Sequence, residues 1–313
     1  METCIIIASH ISNVYRSKYL LKCLESLVNQ THKIPIYLSI SFESDLDKTL
    51  LNKQDEQTKF LEHELINVNY EKFKTSQFRH IENVVNKIKL KFQYVMFCDD
   101  DDTYELNRVE KLLVMTKEGS SIDKINDKIF VGAYEMDLDK GNHSTSYYEY
   151  WSYCININFI IDFFNILKTN NFDYIIDNKM CDVLFSQYLR HLDEQHIFVS
   201  AYCKLYNYNE TSEYSITNSI SQQNTENAVK IKKQEYNFKT FIQGLNDTLE
   251  LNFESIKQNI LILCSYENSF GKILKSILRE NYIYKDKINK DILKNIKNEY
   301  DTVKHICDIL YMI

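Results

Sequence analysis

The sequence predicts an α/β fold, a mainly parallel central sheet flanked by helices, with a helical C-terminal region. Three observations predict it. Short β-branched apolar runs of the kind buried on both faces of a sheet recur between Cys4 and Tyr208. Segments with apolar residues at helical spacing lie between them. Beyond a Ser/Thr/Asn/Gln-rich stretch the pattern turns to Lys, Asn and Glu interleaved with Ile and Leu, which suits amphipathic helices.

In chain order, Cys4 to Ala8 reads as the first buried strand. Ser17 to Asn29 follows as a helix with Leu20, Leu21, Leu24, Leu27 and Val28 on one face and Ser17 as its cap. "IPIYLSISF" is the second strand, with Pro35 at its start where no ladder donor is needed. Asp47 to Glu64 reads as a polar helix, and Phe78 to Leu90 as a helix with Ile81, Val84, Val85 and Ile88 aligned. "FQYVMF" is a third strand, and Arg108 to Met115 the next helix. "KIFVGAYEMDL" reads as a strand, Ile160 to Lys168 and Cys181 to His191 as helices, and "HIFVSAYCKLYNY" as the last strand. The expected division is a domain over 1–215, a polar connector over 216–235 and a helical region over 236–313.

The chain has 313 residues and a net charge of -7, so a general grip on nucleic acid phosphates is not expected. Its eight cysteines form no CxxC pair and several sit in apolar runs, which suits reduced thiols in a cytoplasmic compartment. No apolar run is long enough for a transmembrane segment, and "TCIIIASH" at the start lacks a basic leader region.

The sharpest feature is "YVMFCDDDD", four consecutive aspartates, Asp99 to Asp102, delivered by an apolar strand. Ligands of such sheets collect at the carboxyl ends of strands, and adjacent carboxylates call for a cation, against a solvated acidic loop before the helix of "TYELNRVEKL" as the alternative. Alternation along a strand would point Asp99 and Asp101 the same way, as paired oxygen ligands for a hard ion such as Mn²⁺ or Mg²⁺, with Asp100 turned aside. Such ions are commonly completed by substrate phosphates, so a diphosphate ligand is implied. An EF-hand is excluded because Tyr104 stands where that loop needs glycine.

"CIIIASHISNVYRSKYLLKCLESLVNQT", then "IPIYLSISFESD", "FRHIENVVNK" and "YVMFCDDDD", in this order, resemble the opening of family 2-type glycosyltransferases of the GT-A fold. The likeness covers about the first two hundred residues, and similar enzymes are encoded by large DNA viruses. Asn, Ile, Lys and Tyr are plentiful beside one Pro and five Gly, which looks like the coding bias of an A/T-rich genome and suits that origin, and this would make the compartment a host cytoplasm. The resemblance implies a Rossmann-like GT-A fold, a nucleotide-diphosphate sugar donor of the UDP-sugar type, a glycan or glycoprotein acceptor, and a divalent ion bound through a DxD motif. The loop after the first strand departs from the family pattern, reading Ser9-His10-Ile11-Ser12.

Residue by residue, the resemblance implies that Ala8, Ser9, His10 and Glu43 line the nucleotide, with Asp45 competing with Glu43 for the base contact. Arg79 would approach the nucleotide, against a surface ion pair as the alternative. Asp99 and Asp100 would meet the donor, Asp101 would be the main metal ligand, with Asp99 and Asp102 beside it, and His196 an additional ligand. Asp182, in "DNKMCDVLF", would be the general base, with Asp177 as the fallback and a helix cap as the alternative use of Asp182. Trp151, Tyr147, Tyr148 and Tyr153 form an aromatic patch that suits either a sugar platform or ordinary packing. Two other readings remain open: a metal-dependent nucleotidyltransferase or phosphohydrolase, and a catalytically silent GT-A-like binding protein.

Overall fold

The computed structural model describes residues 2–53, 61–121, 128–136, 149–209, 286 and 288–311. The chain forms two compact units, 1–211 and 212–313. The expected connector over 216–235, Tyr147, Tyr148 and "FGKILKSIL" lie outside the described residues.

The first unit is built on a seven-stranded sheet in the order β3-β2-β1-β4-β7-β6-β8, with β1 Thr3–Ile11, β2 Ile36–Phe42, β3 Ile66–Tyr70, β4 Tyr94–Asp99, β6 Phe130–Met136, β7 Tyr153–Asn156 and β8 Ile197–Tyr202. β5 Thr103–Tyr104 and β9 Tyr206–Asn207 pair separately as an antiparallel ribbon. β1 is parallel to both β2 and β4, and the sheet is parallel throughout except for β7, which runs against β4 and β6. The order therefore reverses its winding between β1 and β4, the switch point where ligands of open α/β sheets bind.

Period-two alternation divides the core. Ile5, Ile7, Met96 and Cys98 face the same side as Leu20, Leu24, Leu27 of α1 (Val14–Val28) and Val109, Leu112 of α4 (Arg108–Ser120), in one buried cluster. Phe97 lies on the opposite face and joins a ring cluster with Phe185 at 6.0 Å and Tyr150 at 5.4 Å. Phe78 of α3 (Gln77–Ile88), Phe163 of α5 (Ile157–Thr169) and Phe185 of α6 (Cys181–Gln195) complete it. α2 spans Asp45–Lys53, the part of the expected polar helix that is described.

The cap of α1 is Asn13, not Ser17: the Asn13 side chain accepts from the backbone of Tyr15 and Arg16, and Ser17 is buried one turn in. The expected last strand divides into β8 and β9, because its second half pairs with β5 and leaves the main sheet. Gly132 sits at the register shift between β6 and β8, and on its β7 side an added Cβ would lie 2.1 Å from the Cys154 carbonyl oxygen. Only glycine permits that approach.

In the second unit, α7 (Lys290–Tyr311) buries Ile292, Ile296, Val303, Ile306 and Leu310, a stripe at helical spacing. Among the described residues no helix is long and apolar enough to cross a membrane.

Candidate active site

The carboxyl edge of the sheet gathers the acidic run at the switch point. β4 ends at Asp99, whose Cα is paired with Ala8 of β1, and the chain then turns, with the Asp102 N–H donating to the Asp99 carbonyl at 3.2 Å. The strand alternation expected to align Asp99 with Asp101 thus stops at Asp99, and each aspartate acquires its own surroundings. Asp99 Oδ1 accepts from Gln77 Nε2 at 2.8 Å and from the Tyr150 hydroxyl. Asp100 Oδ2 accepts from the Ser9 hydroxyl at 2.5 Å, and its Oδ1 from Arg16. Asp100 is therefore a buried anchor tying β4 to β1, not a side chain turned aside. Asp101 accepts from the other Arg16 nitrogen at 3.0 Å. Asp102 accepts from the Tyr206 hydroxyl at 2.8 Å and the Asn209 N–H at 2.7 Å.

Burial, then the charge of Asp102, drives the Asp99 carboxyl well above the ordinary range, against the pull of Tyr150. Burial likewise pushes Asp102 up to about 7, with the Asn209 N–H and the Tyr206 hydroxyl opposing it. Asp100 is raised by burial while Arg16 and Ser9 pull it down, and Arg16 is raised, chiefly by Asp100.

Asp182, in the first turn of α6, lies in the same electrostatic neighbourhood, since its charge raises both Asp99 and Tyr150. Its Oδ1 is shut off from solvent and has no hydrogen-bond partner. Burial, with Glu149 adding repulsion, pushes Asp182 up to about 7. It is not the cap of α6, a position held by Met180 without a side-chain bond.

Asp177 has a different setting. Burial works against its charge, yet hydrogen bonds from Arg79 and Ser76 bring it below its ordinary value. Arg79 is committed to Asp177 at 2.6 Å, Asp173 at 3.1 Å and Glu82 at 2.7 Å, so the structure realises the ion-pair alternative for this arginine. A carboxylate so paired is a poorer proton acceptor than Asp182.

On the β2 side, His10 Nε2 meets Glu43 at 2.8 Å and its Nδ1 meets the Ser41 hydroxyl at 2.9 Å. Ser41 passes the chain inward to His80, which also holds Ser39. Burial lowers His80 to about 4, so it stays neutral at ordinary pH. Lys74 also donates to Glu43 at 2.8 Å, and Lys74 first, then His10, holds the Glu43 carboxyl low. Asp45 opens α2 instead, within the first turn. Beside Glu43, a cleft of about 410 Å³ is lined by Phe42, Asp45, Lys48, Tyr70, Glu71 and Lys72.

His196 corrects an expectation. It stands before β8, beside the start of β6, and β8 runs parallel to β6. The registers through β7 place it level with the start of β4, about six residues or ~20 Å along the strands from Asp99, so it cannot join the aspartates.

No local pattern marks Arg16, Gln77, Tyr150, Tyr206 or Lys74, because each reaches the site across a long chain separation. Trp151 stacks on Tyr206 at 4.1 Å and Tyr208 at 6.1 Å, with the buried Arg108 guanidinium over Tyr206 at 5.1 Å. Tyr153 packs inward against Tyr134 and Phe198.

Among the described residues no three His, Cys, Asp or Glu side chains form a ready cation cage. The donors present are carboxylate oxygens on one turn, which suit a hard divalent ion that keeps open positions for phosphate oxygens.

No family model and no curated protein matches the chain. Among solved structures, the crystal structure of S. aureus TarS is similar over 97% of this chain and 55% of that one, with 13% identity and a TM-score of 0.43. The chain spans about half the length of TarS.

Proposed function

We propose that the first unit is a GT-A-type glycosyltransferase that moves a sugar from a nucleotide-diphosphate donor, a UDP-sugar, to a hydroxyl of a glycan or glycoprotein. One observation supports the reading: a run of aspartates at the switch-point edge lies within electrostatic reach of Asp182, a second carboxyl that burial raises toward neutral pH. The resemblance to viral enzymes of this type rests on the sequence motifs. A cytoplasmic setting suits the cysteines, which are all free among the described residues.

Asp182 takes the proton from the acceptor hydroxyl, and that oxygen attacks the anomeric carbon opposite the departing nucleotide, inverting the configuration. Glu43 and His10 read the base edge, and Ala8 and Ser9 form the floor beneath the nucleotide. Asp101 and Asp99, with Asp102, would hold Mn²⁺ or Mg²⁺. Once bound, that ion offsets the charge that builds on the leaving diphosphate.

The test incubates the protein with Mn²⁺, an acceptor mixture and a panel of sugar nucleotides, and identifies the products. Nucleoside diphosphate together with glycosylated acceptor supports the proposal, and Asp101→Ala should remove both. Nucleoside monophosphate would instead indicate nucleotidyl transfer or phosphohydrolysis, and binding without turnover a silent GT-A-like protein.

A further inference from the structure

Arg16 enters the site from the first turn of α1 and bridges two neighbouring aspartates, Nη1 to Asp101 at 3.0 Å and Nη2 to Asp100. The two bonds differ in setting. The Asp100 side chain is 5% exposed and also takes the Ser9 hydroxyl, so it is fixed from two sides. The Asp101 side chain keeps 17% exposure on the open side of the turn. One bond is an anchor and the other is exchangeable.

A guanidinium cannot shed its proton, so Arg16 supplies permanent positive charge at the carboxylate expected to bind a divalent ion. We propose that Arg16 is a positioning residue with two successive partners: it neutralises Asp101 until a divalent cation takes that carboxylate, and then, still anchored on Asp100, it donates to the diphosphate. The first half concerns the cation alone, while the second rests on the glycosyltransferase reading. The anchored guanidinium cannot follow Asp101 or leave the crevice. Its freed N–H groups then face a partly buried space beside the ion, where anionic oxygens are the matching acceptors. Cation and diphosphate therefore strengthen each other's binding, and by linkage the effect is reciprocal. The protein alone holds the cation weakly and takes it up together with the nucleotide.

The test measures Mn²⁺ binding by the electron paramagnetic resonance of free Mn²⁺, with and without UDP. The wild type should bind Mn²⁺ weakly alone and more tightly with UDP. In Arg16→Gln, Mn²⁺ binding without UDP should tighten roughly tenfold, the size expected for losing a competing charge-assisted bond, and the enhancement by UDP, corrected for Mn²⁺ held by UDP alone, should shrink by a similar factor, leaving the part due to direct ligation by the diphosphate. Should the stranded Asp100 prevent folding, the double variant R16Q/D100N removes that charge, keeps Asp101 and carries the same expectation. Thermal melting establishes that each variant is folded. Unchanged or weaker Mn²⁺ binding without UDP in a folded variant, or no Mn²⁺ binding in any form of the protein, overturns the proposal. Failure of sugar transfer with every donor overturns the glycosyltransferase reading instead and leaves the cation competition standing.

Discussion

Asp182→Asn should make the protein more stable at pH 8 while abolishing sugar transfer. Burial raises this carboxyl from its ordinary 3.8 to about 7, so the folded state holds a proton that the unfolded chain has released. The stability linked to Asp182 is therefore full below 3.8 and is lost as the pH rises through about 7. That interval corresponds to roughly 4 kcal/mol at ~1.4 kcal/mol per pH decade, reduced to about 2–3 kcal/mol because the residue as a whole is only half-buried although its Oδ1 is covered. At pH 5 little more than a third of the interval has been crossed, so the variant's advantage should shrink by about 1–2 kcal/mol. Comparing the two pH values cancels pH-independent effects, including any unmatched N–H of the new amide. Thermal or urea unfolding of wild type and variant at both pH values gives the difference directly. An advantage that fails to grow from pH 5 to pH 8 would refute the burial argument, and retained transfer would remove Asp182 from the role of base.

Wild-type turnover should rise with pH through about 7, as Asp182 loses its proton and becomes a base, and a pH profile of kcat checks this. Asp101→Ala should lose Mn²⁺ binding in a titration while melting normally, because this side chain lies at the edge of the turn and not in the core. Gly132→Ala should lose about 3 kcal/mol in urea unfolding, since its methyl would overlap the Cys154 carbonyl. Arg108→Ala should lose roughly 3–5 kcal/mol, because it removes the guanidinium from buried Glu135 and from over the Tyr206 ring, and circular dichroism melting reads the loss.

The parallel strands were legible because a strand buried on both faces must be apolar along its length, as "CIIIA" and "FQYVMF" are. β3 escaped notice because an edge strand buries little, and in "INVNY" only Ile66 is buried. β7 was obscured by the aromatic residues around it, which suited either a sugar platform or ordinary packing, and Tyr153, fully buried, takes the packing role. The acidic turn announced itself by its charge together with the apolar strand that delivers it, yet its internal geometry did not, since the strand period ends at Asp99. Arg16 and Tyr206 were beyond local pattern: they lie about 85 and 104 residues from their aspartates, and no spacing rule joins such distances. His196 shows the converse, a residue type suited to metal set at the wrong end of its strand.

The reversed direction of β7 has a consequence for how this scaffold can diversify. Its neighbours discharge their chains at the aspartate edge, whereas β7 receives its chain there, by way of Tyr150 and Trp151. Two independent sets of connections thus converge on one rim. Remodelling the approach to β7 can change what reaches that rim, while the parallel strands that end there keep their alignment.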